Sequence, residues 1–501
     1  MTDRYDHIVV GAGSAGTVLA GRLSEDPAAS VLLLEAGPDH SSADTPPAIA
    51  AANFFGAMAV PGRIWPNLVA TRAAGQDESL YVRGRGAGGS SSVNALIGMR
   101  GIPEDYDRWA AELGCAGWSW ADMLPRFVAL EDDADFGGDE GHGAGGPLPL
   151  TRLLRDPRSP FDMAVTEAAI ALGYPTTLDY HARAATGVSP AAMLLRNGAR
   201  VSTNDGYLEP ARRRTNLAVR GDVLVDRVVI EDSAAVGVLT ADGEEIAAGE
   251  VIVCAGALHS PAILLRSGIG PETGRPVGQN LMDHAATAGF ELALNERGRT
   301  RSIALPVVGS VIRYESGLAG AGPNDMQIIC FTAIGDADAG LSGARMFGAA
   351  MQVFSRGSVR LRSQDPFDDP VVEFRMLSDE RDRIRLRDAI RRMIAILRHP
   401  AVASVVDDAR AATEPIESLD TDDRIDAWLD RFVGDYMHAA GTCRMGATDD
   451  PAAVVDPSCR VIGIDRLRVC DASVMPDIPR ANTHLTTVAM AEHLAAIMRR
   501  V

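Results

Sequence analysis

The sequence predicts an α/β protein with an α+β second lobe: one domain on a parallel sheet and another on a largely antiparallel sheet with helices. Three observations predict it. The chain opens on an apolar strand, a glycine-rich turn, a helix and a second apolar strand, "DHIVVGAGSAGTVLAGRLSEDPAASVLLLEAG". Residues 303 to 375 alternate as half-buried antiparallel strands do. The length of 501 residues exceeds the roughly 250–300 at which a single core stops growing, so at least two lobes are expected.

Ile8 to Val10 is a short β-branched run that reads as a buried parallel strand. Gly11-Ala12-Gly13-Ser14-Ala15-Gly16 follows, then a helical pattern to about Leu23, a loop containing Pro27, and a second strand from Val31 to Leu34 ending at Glu35. This is a βαβ unit with a G-x-G-x-x-G turn, the Rossmann-like dinucleotide fingerprint. Gly11 permits the tight turn, Gly13 lets backbone approach a pyrophosphate, and Gly16 lets helix and strand pack closely. The helix N-terminus stabilises phosphate charge, and Glu35 is placed to accept from adenosine ribose hydroxyls.

Further along, residues 130 to 150 are acidic, then rich in glycine and proline, and read as a surface loop between lobes. Residues 217 to 256 read as a β-meander with Asp-Gly turn chemistry, ending in a buried strand from Val251 to Cys254. Residues 378 to 400 and 420 to 432 read as amphipathic helices, and Leu485 to Val501 as a final helix.

Composition narrows the function. A net charge of −19 argues against a nucleic-acid partner, because phosphate binding needs a basic surface. All 48 basic residues are arginine, which excludes Schiff-base chemistry and Walker-type phosphate binding, both of which need lysine. No stretch approaches the ~20 apolar residues of a membrane helix, and "MTDRY" runs into a strand without a leader pattern, so a cytoplasmic protein with no integral membrane segment is expected. The six cysteines form no C-x-x-C pair and are expected to be reduced and mostly buried. The ten histidines include no H-E-x-x-H or H-x-x-E-H spacing, so no metal site is expected. His7, His40, His142, His181 and His399 are read as surface residues.

Four segments together resemble the glucose–methanol–choline (GMC) family of FAD oxidoreductases. They are the N-terminal fingerprint with Glu35; "RGRGAGGSSSVNALIGMRG", Arg83 to Gly101; "GALHSPAILLRSGIGP", Gly256 to Pro271; and the stretch from "MHAAGTCRMG" through "RVCDASVMPDIPRANTHLTTVAMAEHLA". They keep the family's order and span residues 6 to 496. Taken alone, the Gly88-to-Ser92 run offers backbone N–H groups for phosphate or a flavin's polar edge. It leads into "VNALIGM", too apolar for a solvated linker.

The resemblance implies FAD held by the N-terminal glycines, Ser14, Ala15 and Glu35, with Gly89, Ser90 and Asn94 along the flavin. Val225 matches a backbone contact to adenine, Asp471 and Ala472 the pyrophosphate and ribityl segment, and Thr483 lies in the Asn482-to-Thr487 segment preceding a helix whose N-terminus faces the flavin. Val93 stands where some members carry a histidine that bonds FAD covalently, so non-covalent FAD is expected. His438 matches the base that takes the hydroxyl proton of an alcohol substrate while hydride leaves for the flavin, and His484 a substrate-positioning partner. Cys443, five positions after His438, is then a packing residue. His259 and His284 are expected to have structural roles near cofactor or entrance.

The resemblance assigns residues 1–150, 201–284 and 431–501 to a discontinuous FAD domain, and 151–200 and 285–430 to a substrate domain. The substrate is a small-molecule alcohol and the electron acceptor is oxygen, a quinone or another carrier. Rival readings are a mycofactocin-associated flavin dehydrogenase, an FAD-containing hydroxynitrile lyase, and an NAD-binding protein that uses the N-terminal motif alone.

Overall fold

In a computed structural model of the chain, residues 4–154, 158–182, 185–300, 302, 305–335 and 341–499 are described. The expected end of the final helix, at Arg500 and Val501, and the interruptions of the 303–375 region therefore lie outside the described residues.

Apolar β-branched runs that can bury both faces form the first sheet. Its parallel strands run Leu217–Arg220, Val31–Leu34, Tyr5–Val10, Glu245–Val253, with Leu467–Val469 beside the last. The expected meander supplies an antiparallel extension, Ala234–Thr240 and Val225–Glu231. The register aligns Val10 with Leu34 on one side and Val253 on the other, and Val253 with Val469. Glu35, Gly11, Cys254 and Asp471 thus all emerge at the carboxyl edge, where open α/β sheets bind ligands. Helix Ser14–Leu23 starts from Gly13 and packs on this sheet. The C-terminal helix, Thr483–Met498, is buried on nearly every side from Leu485 to Ala495, as expected of a helix with no polar face.

The second sheet is antiparallel throughout. Its order is Glu414–Pro415, Val406–Ala411, Phe290–Leu294, Gly343–Ala350, Met326–Ile334, Ser310–Tyr314, Gly187–Pro190. Strand periodicity gives it two faces. Helix Glu380–Arg398 covers one, burying Leu386, Ala389, Ile390 and Met393; Ala389 lies 2.8 Å from where a Cβ on Gly348 would stand. The other face presents Ile329, Phe331, Arg345 and Phe347 to a large cavity. A smaller sheet joins the two halves by pairing Val371–Glu373 with Val69–Thr71.

The 130–150 segment departs from its reading as a surface loop. Glu131–Asp133 and Leu148–Arg152 form a parallel strand pair, and the side chains of Glu131 and Asp133 are fully buried. Arg100 binds Glu131 through both guanidinium branches, and Arg152 donates to both oxygens of Asp133 at 2.8 and 2.9 Å. His142 and His181 lie in the same cluster, not on the surface, with side-chain exposures of 6% and 0%. Burial of such charges is tolerated when each is paired, and the pairing partners are remote in sequence.

Candidate active site

Between the sheets lies a cavity of about 550 Å³, within the ~300–1,000 Å³ of ligand sites. Gly11, Gly13, Ser14, Ala15, Glu35, Gly89, Ser90, Asn94, Val225, Asp471, Ala472, Thr483, His438 and His484 all line it. Gly16 alone of the expected residues does not. A Cβ there would stand 1.8 Å from the Gly11 carbonyl, so its role is the close helix–strand packing.

The glycines of two loops meet at the cavity floor. Gly11 has φ +101°, a conformation glycine adopts freely. A Cβ on Gly89 would reach within 2.7 Å of the Gly13 Cα, while one on Gly13 would meet nothing within 4 Å. Gly13 therefore presents bare backbone to the open side. Glu35 Oε2 accepts from the Ala12 N–H at 2.7 Å, and Oε1 from the N–H groups of Gly37 and Gly86 at 2.8 Å each. Burial raises its pKa and the three backbone donors oppose that. Glu35 thus ties the two loops together and keeps lone-pair capacity on Oε2. Asp471 accepts from Gly256 N–H, the Ser260 hydroxyl and Ser473 N–H, so it shapes its loop while Ala472 faces the cavity. Asn94 Oδ1 accepts from Leu96 N–H and from Arg200 at 2.8 Å.

At the far side stands His438, half-buried, in a loop held by a second network. Asp283 accepts from the backbone N–H of His438 at 3.0 Å and of Tyr436 at 3.3 Å, and from the Tyr81 hydroxyl at 2.6 Å. Tyr81 in turn accepts from Ala439 N–H at 3.0 Å and from Arg83. Burial lowers the His438 pKa well below 6.5, with His284 and Arg83 adding to the effect. Its Nε2 lies 3.3 Å from Asn482 Nδ2.

The structure does not pair His438 with His484. His484 Nδ1 meets the Ser14 hydroxyl at 3.1 Å, and its buried Nε2 has no partner; burial lowers its pKa to about 4. The reason is where the last helix begins. It starts at Thr483, two residues before its expected start, with Asn482 at the N-cap. Positions two apart on a helix do not face each other, so Asn482 reaches His438 and His484 reaches the glycine loop. Asn at an N-cap is a recognisable signal, and an earlier helix start would have singled out Asn482.

Residues 5–286 and 353–491 match the two domains of the GMC oxidoreductase family. The chain belongs to the GMC oxidoreductase family. It is 38% identical to 5-(hydroxymethyl)furfural oxidase of Methylovorus sp. (strain MP688), covering 99% of each chain. It is 35% identical to an oxygen-dependent choline dehydrogenase of Vibrio vulnificus (strain YJ016), covering 99% of this chain and 95% of the other. The crystal structure of pyridoxine 4-oxidase from Mesorbium loti superposes with a TM-score of 0.89 at 32% identity, over 99% of this chain and 100% of that one. This GMC oxidoreductase is an FAD-dependent enzyme acting on the CH–OH group of an alcohol.

The cavity of this GMC oxidoreductase fits FAD. Its open Gly13 face, the N-terminus of the helix beginning at Thr483 and the unpartnered His484 Nε2 all point into it. The helix start favours negative charge. Val93 lines the cavity and offers no nucleophile. His259, also on the wall, stacks on Trp65 at 4.1 Å and meets Asp369 at 3.2 Å. Cys443 is fully buried, as are the other five cysteines, and all are free thiols. Among the described residues no helix is long and apolar enough to cross a membrane.

Two clusters bring three possible metal ligands within 4.8 Å of one another: Asp133, His142 and His181, and Asp283, His284 and His438. Sequence spacing shows neither. In the first, Arg152 already occupies the Asp133 carboxylate; in the second, Asp283 is engaged with Tyr81 and backbone.

Proposed function

We propose that this enzyme oxidises a ring-bearing primary alcohol, with His438 as the base and FAD bound without a covalent link. The observation that carries the reading is the His438 Nε2–Asn482 Nδ2 approach of 3.3 Å at the wall of the one cavity that also holds the dinucleotide loops. A substrate hydroxyl entering there meets one nitrogen that can take its proton and one amide that can hold its oxygen. Fixing the oxygen also fixes the direction of the carbinol C–H bond, which is how positioning contributes to rate. Bound FAD supplies the hydride acceptor. A neutral imidazole suits the proton transfer because a charged one could not accept it.

The cavity wall supports a ring-bearing substrate. Phe54, Phe55, Phe331 and Phe347 line it, and Phe54 and Phe331 meet edge to face with centroids 5.5 Å apart. Tyr436 stands beside His438 at 5.1 Å between ring centroids. Two of the relatives are named for ring-bearing hydroxymethyl compounds. Oxygen is the electron acceptor we propose, by the same likeness.

Anaerobic mixing with hydroxymethylated furans, pyridines and benzyl alcohols tests this. Those alcohols should bleach the flavin, and air should restore it rapidly. His438→Ala should keep its FAD and slow reduction by a factor of about a hundred or more. Unchanged reduction in that variant removes the base assignment. No bleaching at all would favour the lyase reading, and slow reoxidation in air a dehydrogenase with another acceptor. FAD remaining in an acid-precipitated pellet would contradict the non-covalent link.

A further inference from the structure

We propose that His284 sets the tautomer of His438, holding its proton on Nδ1 so that Nε2 faces the cavity as an unprotonated acceptor. The inference deepens the base assignment above and rests on it.

The argument is a chain of donors and acceptors that begins at a carbonyl. His284 is fully buried, and its Nε2 lies 3.0 Å from the backbone oxygen of Pro479. A carbonyl oxygen only accepts, so His284 Nε2 carries hydrogen. Burial holds the His284 pKa down to about 3, against the backbone hydrogen bonds of Pro479 and Met351 that raise it. The ring is neutral, and a neutral imidazole has a single N–H. His284 Nδ1 is therefore a lone pair. It lies 2.9 Å from His438 Nδ1, and the hydrogen between them can only belong to His438. His438 Nε2 is left unprotonated, which is the state Asn482 can meet by donating from Nδ2.

The rings cross at 89° with centroids 5.1 Å apart, so the contact is an in-plane hydrogen bond for one ring only when its orientation is held. Asp283 holds it by fixing the His438 backbone. Asp283 itself is spent on Tyr81 and two backbone N–H groups, leaving His284 as the acceptor of the Nδ1 hydrogen. His284 does not line the cavity and reaches it only through His438. It is a positioning residue.

The FAD-loaded holoenzyme labelled with ring-¹⁵N histidine tests the tautomer directly by long-range ¹H–¹⁵N correlation, with His438 assigned by its loss in His438→Gln. Wild type should show His438 protonated at Nδ1 and bare at Nε2. His284→Leu removes the acceptor and should slow flavin reduction by about tenfold to a hundredfold at unchanged KM, with the Nε2–H tautomer appearing. His284→Asn presents an amide oxygen at the same place and should recover most of the rate and the Nδ1–H tautomer. A wild-type His438 protonated at Nε2 overturns the proposal, as does equal loss in the Leu and Asn variants, which a merely structural role predicts. The wild-type spectrum needs no variant to fold and no turnover. It stands even where His438→Ala retains full reduction and the base assignment fails.

Discussion

Among the described residues two histidine pairs stand beside a buried carboxylate, and they differ in what their lone pairs can reach. His142 and His181 stack with centroids 6.2 Å apart among Glu131, Asp133 and Asp179, but Arg100 and Arg152 already hold those carboxylates. The Arg100 backbone N–H also donates to His181 Nε2 at 3.3 Å. His284 and His438 bond to each other at 2.9 Å, and His438 opens on the cavity. The first cluster is electrostatically closed and fastens the 130–150 segment to Asp179 and His181. The second keeps one basic nitrogen on the cavity, met only by the Asn482 amide. Burial alone does not make a histidine a base; a ring nitrogen that faces a cavity and that no carboxylate or arginine holds can act as one.

The largest test of that difference removes a charge from the closed cluster. Arg100→Ala leaves the Glu131 carboxylate buried without its partner and should cost about 3–5 kcal/mol of stability, read as a shift in the urea midpoint. The flavin-reduction rate of the folded fraction should stay unchanged, since Arg100 is not on the cavity wall. A rate that fell with the midpoint would mean that the two clusters are coupled.

The next test concerns what the two pairs share. His181 is held neutral, its pKa lowered well below 6.5 by burial first and by Arg100 and Arg152 next. In the unfolded chain it titrates near 6.5, so below that pH the unfolded state takes up a proton that the native state refuses. Stability from this residue is therefore present above pH 6.5 and lost as pH falls, by about 1.4 kcal/mol per unit. His181→Asn should flatten the acid side of the stability curve by that slope, measured by urea unfolding at pH 6.5, 5.5 and 4.5. His284 and His484, lowered to about 3 and about 4, carry the same sign and keep part of the slope in that variant.

The smallest expected effect lies at the open site. Asn482→Ala removes one hydrogen-bond donor to the reacting oxygen and should raise the barrier by about 1–2 kcal/mol, roughly five- to thirtyfold in reduction rate. Retention of FAD and of the unfolding midpoint would separate this from damage to the helix cap, which the amide does not make in this structure.

Much of this was legible in the chain itself. The strand–glycine–helix–strand unit, the acid at Glu35 and the short-range turns follow from local periodicity, which a sequence states outright. The glycine-rich contacts to the cavity carry over residue by residue because each is a backbone requirement at one position. The misreadings have separate causes. The acidic 130–150 segment looked solvated because its neutralising arginines, Arg100 and Arg152, come from elsewhere, and the positioning partner looked like His484 because the helix start was set two residues late.

Sequence by itself determined the family and the cofactor and brought His438 to attention, since these rest on local patterns that bind backbone to phosphate and pack strand against helix. Only the tertiary structure decided which groups that histidine meets. Asn482 lies 44 residues away along the chain and His284 lies 154, and no local periodicity relates such positions. Their meeting depends on where a helix caps and on which buried carbonyl takes a proton's hydrogen bond, and packing alone sets both.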